Sequence, residues 1–388
     1  MKKFPTVLLL IETSRGYGRG LLRGIAKYSS LHGPWDMEHE PPFYIKPGRK
    51  NSLRKKLHSQ PPDGIIMREP QNVKKILEMR IPVIFASYKK EQIQNTSRII
   101  TDDKAIGEMA AQHFIDRGFK NFAFLGYDNM YWSKNRSAFF AECLRRKGFQ
   151  VHSFRQPHSA KQRVWDSEQF IVADWLRTLP KPLALMACND DRAQQAVNAC
   201  RIADLFVPGE VAVLGVDNDG FVCDLSNPPI SSIDLNTERA GFEAAELLDK
   251  MMSAGKTKPQ KIIVSPTHIV TRQSSDIYAV TDPEVALAIR FIRENAREPI
   301  QVDDVVDAVT LSRRTLYQRF RRLLGRSIHE EIRHARVEEI ARLLIETNLS
   351  IYQIALRLGF PGVDHIAQYF RRHKGMNPLA YRNKYGHK

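Results

Sequence analysis

"RRTLYQRFRRLLG" (residues 313–325) and "VDHIAQYFRRHKG" (residues 363–375) are one pattern written twice, fifty residues apart. At 100° per residue, a helix with Leu316 at the centre of its buried side carries Phe320 inward. Arg314, Gln318 and Arg321 then lie outward, with Tyr317 at the flank. In the second copy Ile366 and Phe370 turn inward while Asp364, Gln368 and Arg371 turn outward. The same offset pairs Val305 with Ala355 and Val306 with Leu356, so core positions fall on core positions and the repeat is structural. Each copy reads as a helix ("VDDVVDAV"; "IYQIALRLG"), a tight break ("TLS"; "FPG") and a second helix. That is a helix-turn-helix, expected at about 302–325 and again at about 350–375.

The outward residues suit a duplex. Arginine grips guanine O6 and N7, glutamine grips adenine N6 and N7, and aspartate accepts from cytosine N4. Arg313 and Arg314 open the first recognition helix, whereas Arg321, Arg322, Arg371 and Arg372 lie further along, where phosphate contact is expected. Residues 311–326 hold six arginines and no acid, and residues 350–388 hold seven Lys or Arg against Asp364 alone. One such helix is ordinarily a solvated charged face, but two in register are hard to explain that way. Between the copies, Ile328, Ile332, Ala335 and Leu343 fall at helical spacing and predict one long joining helix. A rigid joint sets the recognition helices at a fixed separation, and about 34 Å, one turn of B-DNA, is the productive one.

The whole chain has 388 residues and a net charge of +16, which favours two or three folding units and a polyanionic partner. Cys143, Cys188, Cys200 and Cys223 lie far apart without ligand spacing, so a zinc site or disulfide framework is not expected and the thiols read as reduced core residues. The apolar run Val7 to Ile11 is too short for a secretion signal and ends at Glu12 and Arg15, which makes it a first strand. No stretch reaches the length needed to span a membrane, so no membrane partner is expected and the location is expected to be cytoplasmic.

From residue 6 to about 270 continuous apolar runs alternate with amphipathic segments: "TVLLLIE" (6–12), "DGIIMRE" (63–69), "IPVIFAS" (81–87), "FAFLGY" (122–127), "LALMACND" (183–190) and "VAVLGVDND" (211–219). This predicts parallel sheets covered on both faces, in two lobes. Ligands of such sheets sit beyond the carboxyl ends of the strands. The polar residues there are Glu12 to Arg19, Asp102 and Asp103, Tyr127 to Arg136, Asn189 and Asp190, and Asp217 to Asp219, some of which are expected merely to cap helices. After "TRQSSDIYAVTDP" strand runs stop; Thr281 or Asp282 is a cap candidate and Pro283 falls in the first turn. The expected division is a sensing domain over 1–275, a linker over 276–283 and a helical domain over 284–388.

The segments "LSRRTLYQRF", "ARLLIETNLSIYQIALRLGF" and "FRRHKGMNPLAYR" closely resemble the DNA-binding domain of the AraC/XylS family of transcription regulators. Carried over residue by residue, the resemblance implies base contacts from Arg314, Tyr317 and Gln318, and from Val363, Asp364, His365 and Gln368. Asp364 departs from the basic pattern, so the second copy is expected to read weakly and serve mainly as an anchor.

"SRGYGRGLLRGIAKY", "IITDDKAIGEMAAQHFIDRGFKNFAFLG", "NRSAFFAECL", "MACNDDRAQQAVNACR" and "VAVLGVDND" resemble the sugar-sensing core of LacI/GalR regulators and periplasmic sugar-binding proteins. The fold implied is an α/β two-lobed periplasmic-binding-protein-like sensor with parallel sheets plus an all-α domain with two helix-turn-helix modules. The sugar-contacting positions implied are Asp102, Arg136, Asn189 and Asp217, with Trp132 and Tyr17 as stacking or wall groups. Fork-shaped arginine and ionised aspartate bind paired hydroxyls, and a tryptophan face packs on sugar C–H.

The implied partners are a double-stranded DNA operator, a small sugar effector (D-xylose or a similar pentose), RNA polymerase and a second copy in a homodimer. No cofactor, metal or catalytic residue is implied. Two other classes compete: a sugar-binding transport protein, and a nucleotide-dependent enzyme suggested by "GYGRG" (16–20) after the first strand. The glycines there are spaced GxGxG and not GxGxxG.

Overall fold

The computed structural model describes residues 4–39, 61–68, 76–86, 95–159, 161–254, 258–277, 279 and 282–385. The apolar runs become strands because Val, Ile, Leu and Phe fill both faces of a covered sheet. In lobe 1, β1 (Thr6–Leu10), β2 (Asp36–His39), β3 (Gly64–Arg68), β4 (Val83–Ala86), β5 (Ser97–Thr101) and β11 (Lys261–Val264) lie in the order β11-β5-β4-β3-β1-β2, every pair parallel. Val7, Leu9, Ile66 and Ile84 bury one face, and Leu8, Ile65, Val83 and Phe85 the other.

Lobe 2 contains β6 (Asn121–Leu125), β7 (Val151–Ser153), β8 (Leu183–Ala187), β9 (Val211–Val216), β10 (Ser231–Leu235) and β12 (Pro266–Val270), in the order β12-β10-β9-β8-β6-β7. This sheet is parallel as expected except at one edge, where β12 runs antiparallel to β10. Pro266 is tolerated there, since the first residue of an edge strand can do without a donor. β2, β5, β7 and β10 to β12 were not among the apolar runs; they are short, and several carry polar or charged residues.

The chain crosses between lobes after β5, after β10 and between β11 and β12. The three crossings are laced together: Asp102 N donates to Val264 O (2.9 Å), Asn236 N to Ser265 O (3.0 Å) and Ser265 N to Asn236 Oδ1 (2.7 Å). This is the hinge.

The "GYGRG" glycines serve packing. Helix α1 (Gly16–His32) lies against a helix over Thr237–Ala254 so closely that a Cβ on Gly20 would stand 1.9 Å from Thr237 Oγ1, and one on Gly24 1.8 Å from Glu238 O. The first amide of α1, where a phosphate would bind, already donates to Asp219 Oδ2 at 2.7 Å.

The helices between these are α2 (Asp103–Ile115), α3 (Tyr131–Arg146), α4 (Trp165–Thr178), α5 (Asp190–Ile202) and α6 (Gly220–Asp224), and the Thr237–Ala254 helix is α7. Seven helices follow: α8 (Pro283–Glu294), α9 (Val302–Asp307), α10 (Arg313–Leu324), α11 (Ile328–Glu346), α12 (Ile351–Arg357), α13 (Val363–Lys374) and α14 (Pro378–Tyr385). Asp282 caps α8 through Glu284 N and Val285 N, with Pro283 in the first turn; Thr281 lies outside the described residues. Ser327 with Glu330, and Ser350 with Gln353, form capping boxes on α11 and α12.

The long helix α11 gives Ile328, Ile332 and Ala335 to one core, shared with Leu316 and Phe320. It gives Val337, Ile340, Leu343 and Leu344 to a second core, shared with Ile366 and Phe370. At the changeover, buried Arg336 donates to Glu298 O (2.5 Å) and Leu358 O (2.6 Å), stitching one module to the other. Among the described residues, no helix is long and apolar enough to cross a membrane.

Candidate functional site

Strand ends from both lobes converge where the hinge holds the lobes face to face. Arg136, in the second turn of α3, is 3 % exposed; its Nε donates to Asp103 Oδ1 (3.1 Å) and its Nη1 to Cys188 O (2.5 Å). One helical turn earlier, the Trp132 ring lies 4.9 Å from the Arg136 guanidinium. From lobe 1, Tyr17 is buried beneath Arg68, 4.9 Å away, and Arg68 forks onto Glu12 at 2.5 and 2.8 Å. Burial, together with the charges of Asp217 and Glu12, pushes the Tyr17 hydroxyl up to about 12, so it stays a neutral donor.

Asp217 follows β9 with a left-handed φ of 104°, which turns it out of strand geometry. Burial pushes its carboxyl up to about 7, with Asp191 adding to the effect and Arg136 and Arg68 opposing it. Asp190 is raised well above the usual carboxylate range by burial and by Asp217. Arg136 is raised above its ordinary value: burial works against this, but Asp103 and Asp217 outweigh it.

Of the six predicted sensor residues, Trp132 and Arg136 are in contact, and Tyr17 and Asp217 lie within electrostatic reach of Arg136. The other two use an oxygen to cap helices, Asp102 accepting from Ala105 N (3.0 Å) and Asn189 from Arg192 N (3.1 Å). The acid that grips Arg136 is Asp103, the neighbour of Asp102. Both stand at the same strand end, and only the direction of the first helical turn separates them. Glu12, Arg68 and Asp191 were also not selected, although Glu12 stood among the strand-end residues.

Across the same junction Arg15 pairs with Asp191 (2.8 Å) and Arg19 with Asp219 (2.6 Å), joining the lobes in a closed arrangement. A pocket of about 520 Å³ lies on the hinge side, lined by Arg19, Asn218, Asp219, Phe221 and Thr237; of the six predicted residues it includes Asp217 alone. The central set, a fork-shaped cation, carboxylates, a buried phenol and an indole face, has the kinds of group that recognise a compact polyhydroxylated ring. It is poor in nucleophiles: burial pushes the Cys188 thiol up to about 12.

The second surface is helical. α10 and α13 are each twelve residues long, start fifty residues apart, and end at Gly325 and Gly375 with φ of 71° and 72°. Leu316, Phe320, Ile366 and Phe370 are fully buried. Arg313, Arg314, Gln318, Arg321, Arg322, Val363, Asp364, His365, Gln368, Arg371 and Arg372 are exposed, and Tyr317 is half-buried. Arg313 is tethered to Asp303 at 2.5 Å and lies 5.8 Å from the Tyr317 ring, whereas Arg314 and Gln318 engage none of the described residues. An arginine and a glutamine one turn apart thus face outward, unpaired among the described residues.

A periplasmic binding protein-like domain model matches residues 111–275, and a helix-turn-helix domain model matches residues 305–384. The chain is 29% identical to the xylose operon regulatory protein of Haemophilus influenzae, over 98% of this chain and 99% of that one. It is 28% identical to the protein of the same name in Escherichia coli K12, over 97% and 96%. Among solved structures, a xylose-binding transcription activator is 27% identical and superposes with a TM-score of 0.62 over 100% of both chains. A transcriptional regulator in complex with cellobiose, 21% identical, matches in fold with a TM-score of 0.56, covering 70% of this chain and 84% of that one.

Proposed function

We propose, from the premise that this chain is a homologue of the bacterial xylose operon regulators, that it is a pentose-responsive activator whose effector is D-xylose. It is a sugar-responsive, sequence-specific DNA-binding transcription regulator and not an enzyme. The observation that carries the reading is the pairing on one chain of a two-lobed sensor with two identical-length recognition helices in a fifty-residue register.

In this reading residues 1–275 sense, 276–283 link and 284–388 read DNA. The sugar sits among Tyr17, Trp132, Arg136 and Asp217, with Asp102 and Asn189 at the rim. Arg136 supplies paired donors, Asp217 accepts from hydroxyls, and Trp132 covers the C–H face. Binding shifts the lobes toward the closed arrangement by no more than the sugar's differential affinity for the two states.

Arg314, Tyr317 and Gln318 read bases in the first module, and Val363, Asp364, His365 and Gln368 contact them in the second. Arg313, Arg321, Arg322, Arg371 and Arg372 hold phosphates. The protein works in the cytoplasm as a homodimer joined through the sensor, and presents its DNA-bound form to RNA polymerase.

The test is DNA affinity, on a duplex selected from a random pool, with and without D-xylose, L-arabinose or D-ribose. A rise with D-xylose of at least about fivefold is expected. If none of the three sugars changes the affinity, the reading fails.

A further inference from the structure

The helical domain is fastened to both lobes of the sensor, on either side of the hinge. On the lobe 2 side, α2 runs from the hinge residue Asp102 to Asp116, about 20 Å away at 1.5 Å per residue. Asp116 accepts from Arg326 Nη1 (2.9 Å) and lies 3.3 Å from His334 Nε2, while its carbonyl accepts from Arg326 Nη2 (2.7 Å). Arg326 stands between Gly325, which ends recognition helix α10, and Ser327, which caps α11. Its guanidinium also pairs with buried Glu331 at 2.5 Å. The first module is thus clamped to lobe 2 at the exit of its recognition helix.

On the lobe 1 side, Arg239 lies in the first turn of α7, directly after the hinge residue Asn236. Its Nη1 donates to Asn383 O and Lys384 O, both at 3.0 Å, at the carboxyl end of α14 in the second module. A guanidinium satisfies the orphan carbonyls and the negative end of a helix at once.

We infer that the Arg239 clasp on α14 is the coupling contact that makes the second DNA-reading module sense the angle between the lobes. The inference rests on the effector-driven closure proposed above. With module 1 fixed to lobe 2 and α14 fixed to lobe 1, the helical domain straddles the hinge. Arg336 and the shared helix α11 prevent the modules from separating to absorb a rotation. Both clasp bonds are already 3.0 Å long, so about 1 Å of movement takes them beyond hydrogen-bond range. Cleft opening therefore breaks the clasp, and closure restores it. Arg239 is a positioning residue that touches neither sugar nor DNA.

The experiment uses full-length wild type, Arg239→Ala, Arg239→Lys and the control Glu243→Gln, which removes only the charge of Arg239's partner on its own helix (2.8 Å). Two quantities are read: the ratio of DNA affinities with and without D-xylose, and amide hydrogen exchange at 383–385 with D-xylose present. Arg239→Ala is expected to cut the ratio about fivefold toward unity and to speed exchange in the last turn of α14. Lysine should restore part of both, and Glu243→Gln should change neither. An unchanged ratio in Arg239→Ala, or unchanged exchange, overturns the inference. If wild type shows no response to any pentose, the function reading fails, and the exchange result still decides whether the clasp forms.

Discussion

Asp103 and Arg136 form an ion pair at 3.1 Å with both side chains nearly excluded from solvent, and the pair joins the first turn of α2 to the second turn of α3. Thr101 Oγ1 (2.7 Å) and Asn135 Nδ2 (3.3 Å) donate to the same carboxylate, so with Arg136 both of its oxygens are engaged. Asp103→Asn leaves a buried guanidinium without its counter-charge. It should cost about 3 kcal/mol in urea unfolding and abolish the D-xylose-induced rise in melting temperature. Loss of stability with the sugar shift intact would remove the pair from the effector site.

Asp217 makes stability depend on pH. Its folded carboxyl titrates at about 7, above the unfolded value near 4, so the folded chain holds a proton that the unfolded chain releases. The associated stability is complete below about pH 4 and is lost as pH rises through 7. Urea midpoints should fall between pH 5 and 8. In Asp217→Asn the slope should flatten, with the remainder due to Asp190, which is raised in the same direction. An unaltered slope would contradict the assignment.

Base readout and phosphate contact separate by substitution. Arg314→Ala should cost about 1 to 3 kcal/mol and relax preference at one operator position, while Arg371→Ala should weaken all sequences alike and lower the salt slope by about 1. Uniform loss from both would sink the base-reading role of Arg314.

Arg336 is the stitch between modules. Arg336→Met strands the carbonyls of Glu298 and Leu358, at about 1 to 3 kcal/mol for each one left buried. Affinity for a duplex carrying both half-sites should then fall toward that for one half-site. Equal losses on single and double sites would place the effect in folding alone.

Gly24→Ala drives a methyl group into Glu238 O, at the contact of α1 with α7. Overpacking of this kind costs about 1 to 3 kcal/mol, and thermal unfolding should show it, with no role for any nucleotide. A melting temperature that rises with ATP or NAD would revive the enzyme reading.

The helical domain was legible in the sequence down to the cap of its first helix. The Leu316/Phe320 and Ile366/Phe370 faces, the fifty-residue register and the joining helix are consequences of a 3.6-residue period, which is local information. The apolar strands of the sensor were legible because a continuous run of Val, Ile, Leu and Phe is local information too. Short or polar strands such as β2 and β12 were not, because edge pairing demands little of their side chains. In the site, the resemblance singled out Trp132 and Arg136, and their contact follows from local geometry, since residues four apart share a helical face. Asp103 was not distinguishable from Asp102.

Sequence alone thus determined the paired helices with their inward and outward faces, the apolar strands, and the strand ends at which a ligand could sit. Tertiary structure alone decided which of two adjacent acids meets Arg136, that the glycines of α1 admit α7 instead of a phosphate, and that Arg239 reaches α14 some 144 residues along the chain. Periodicity and propensity act within a few residues. Contacts between segments so far apart depend on how the two lobes and the helical domain are brought together.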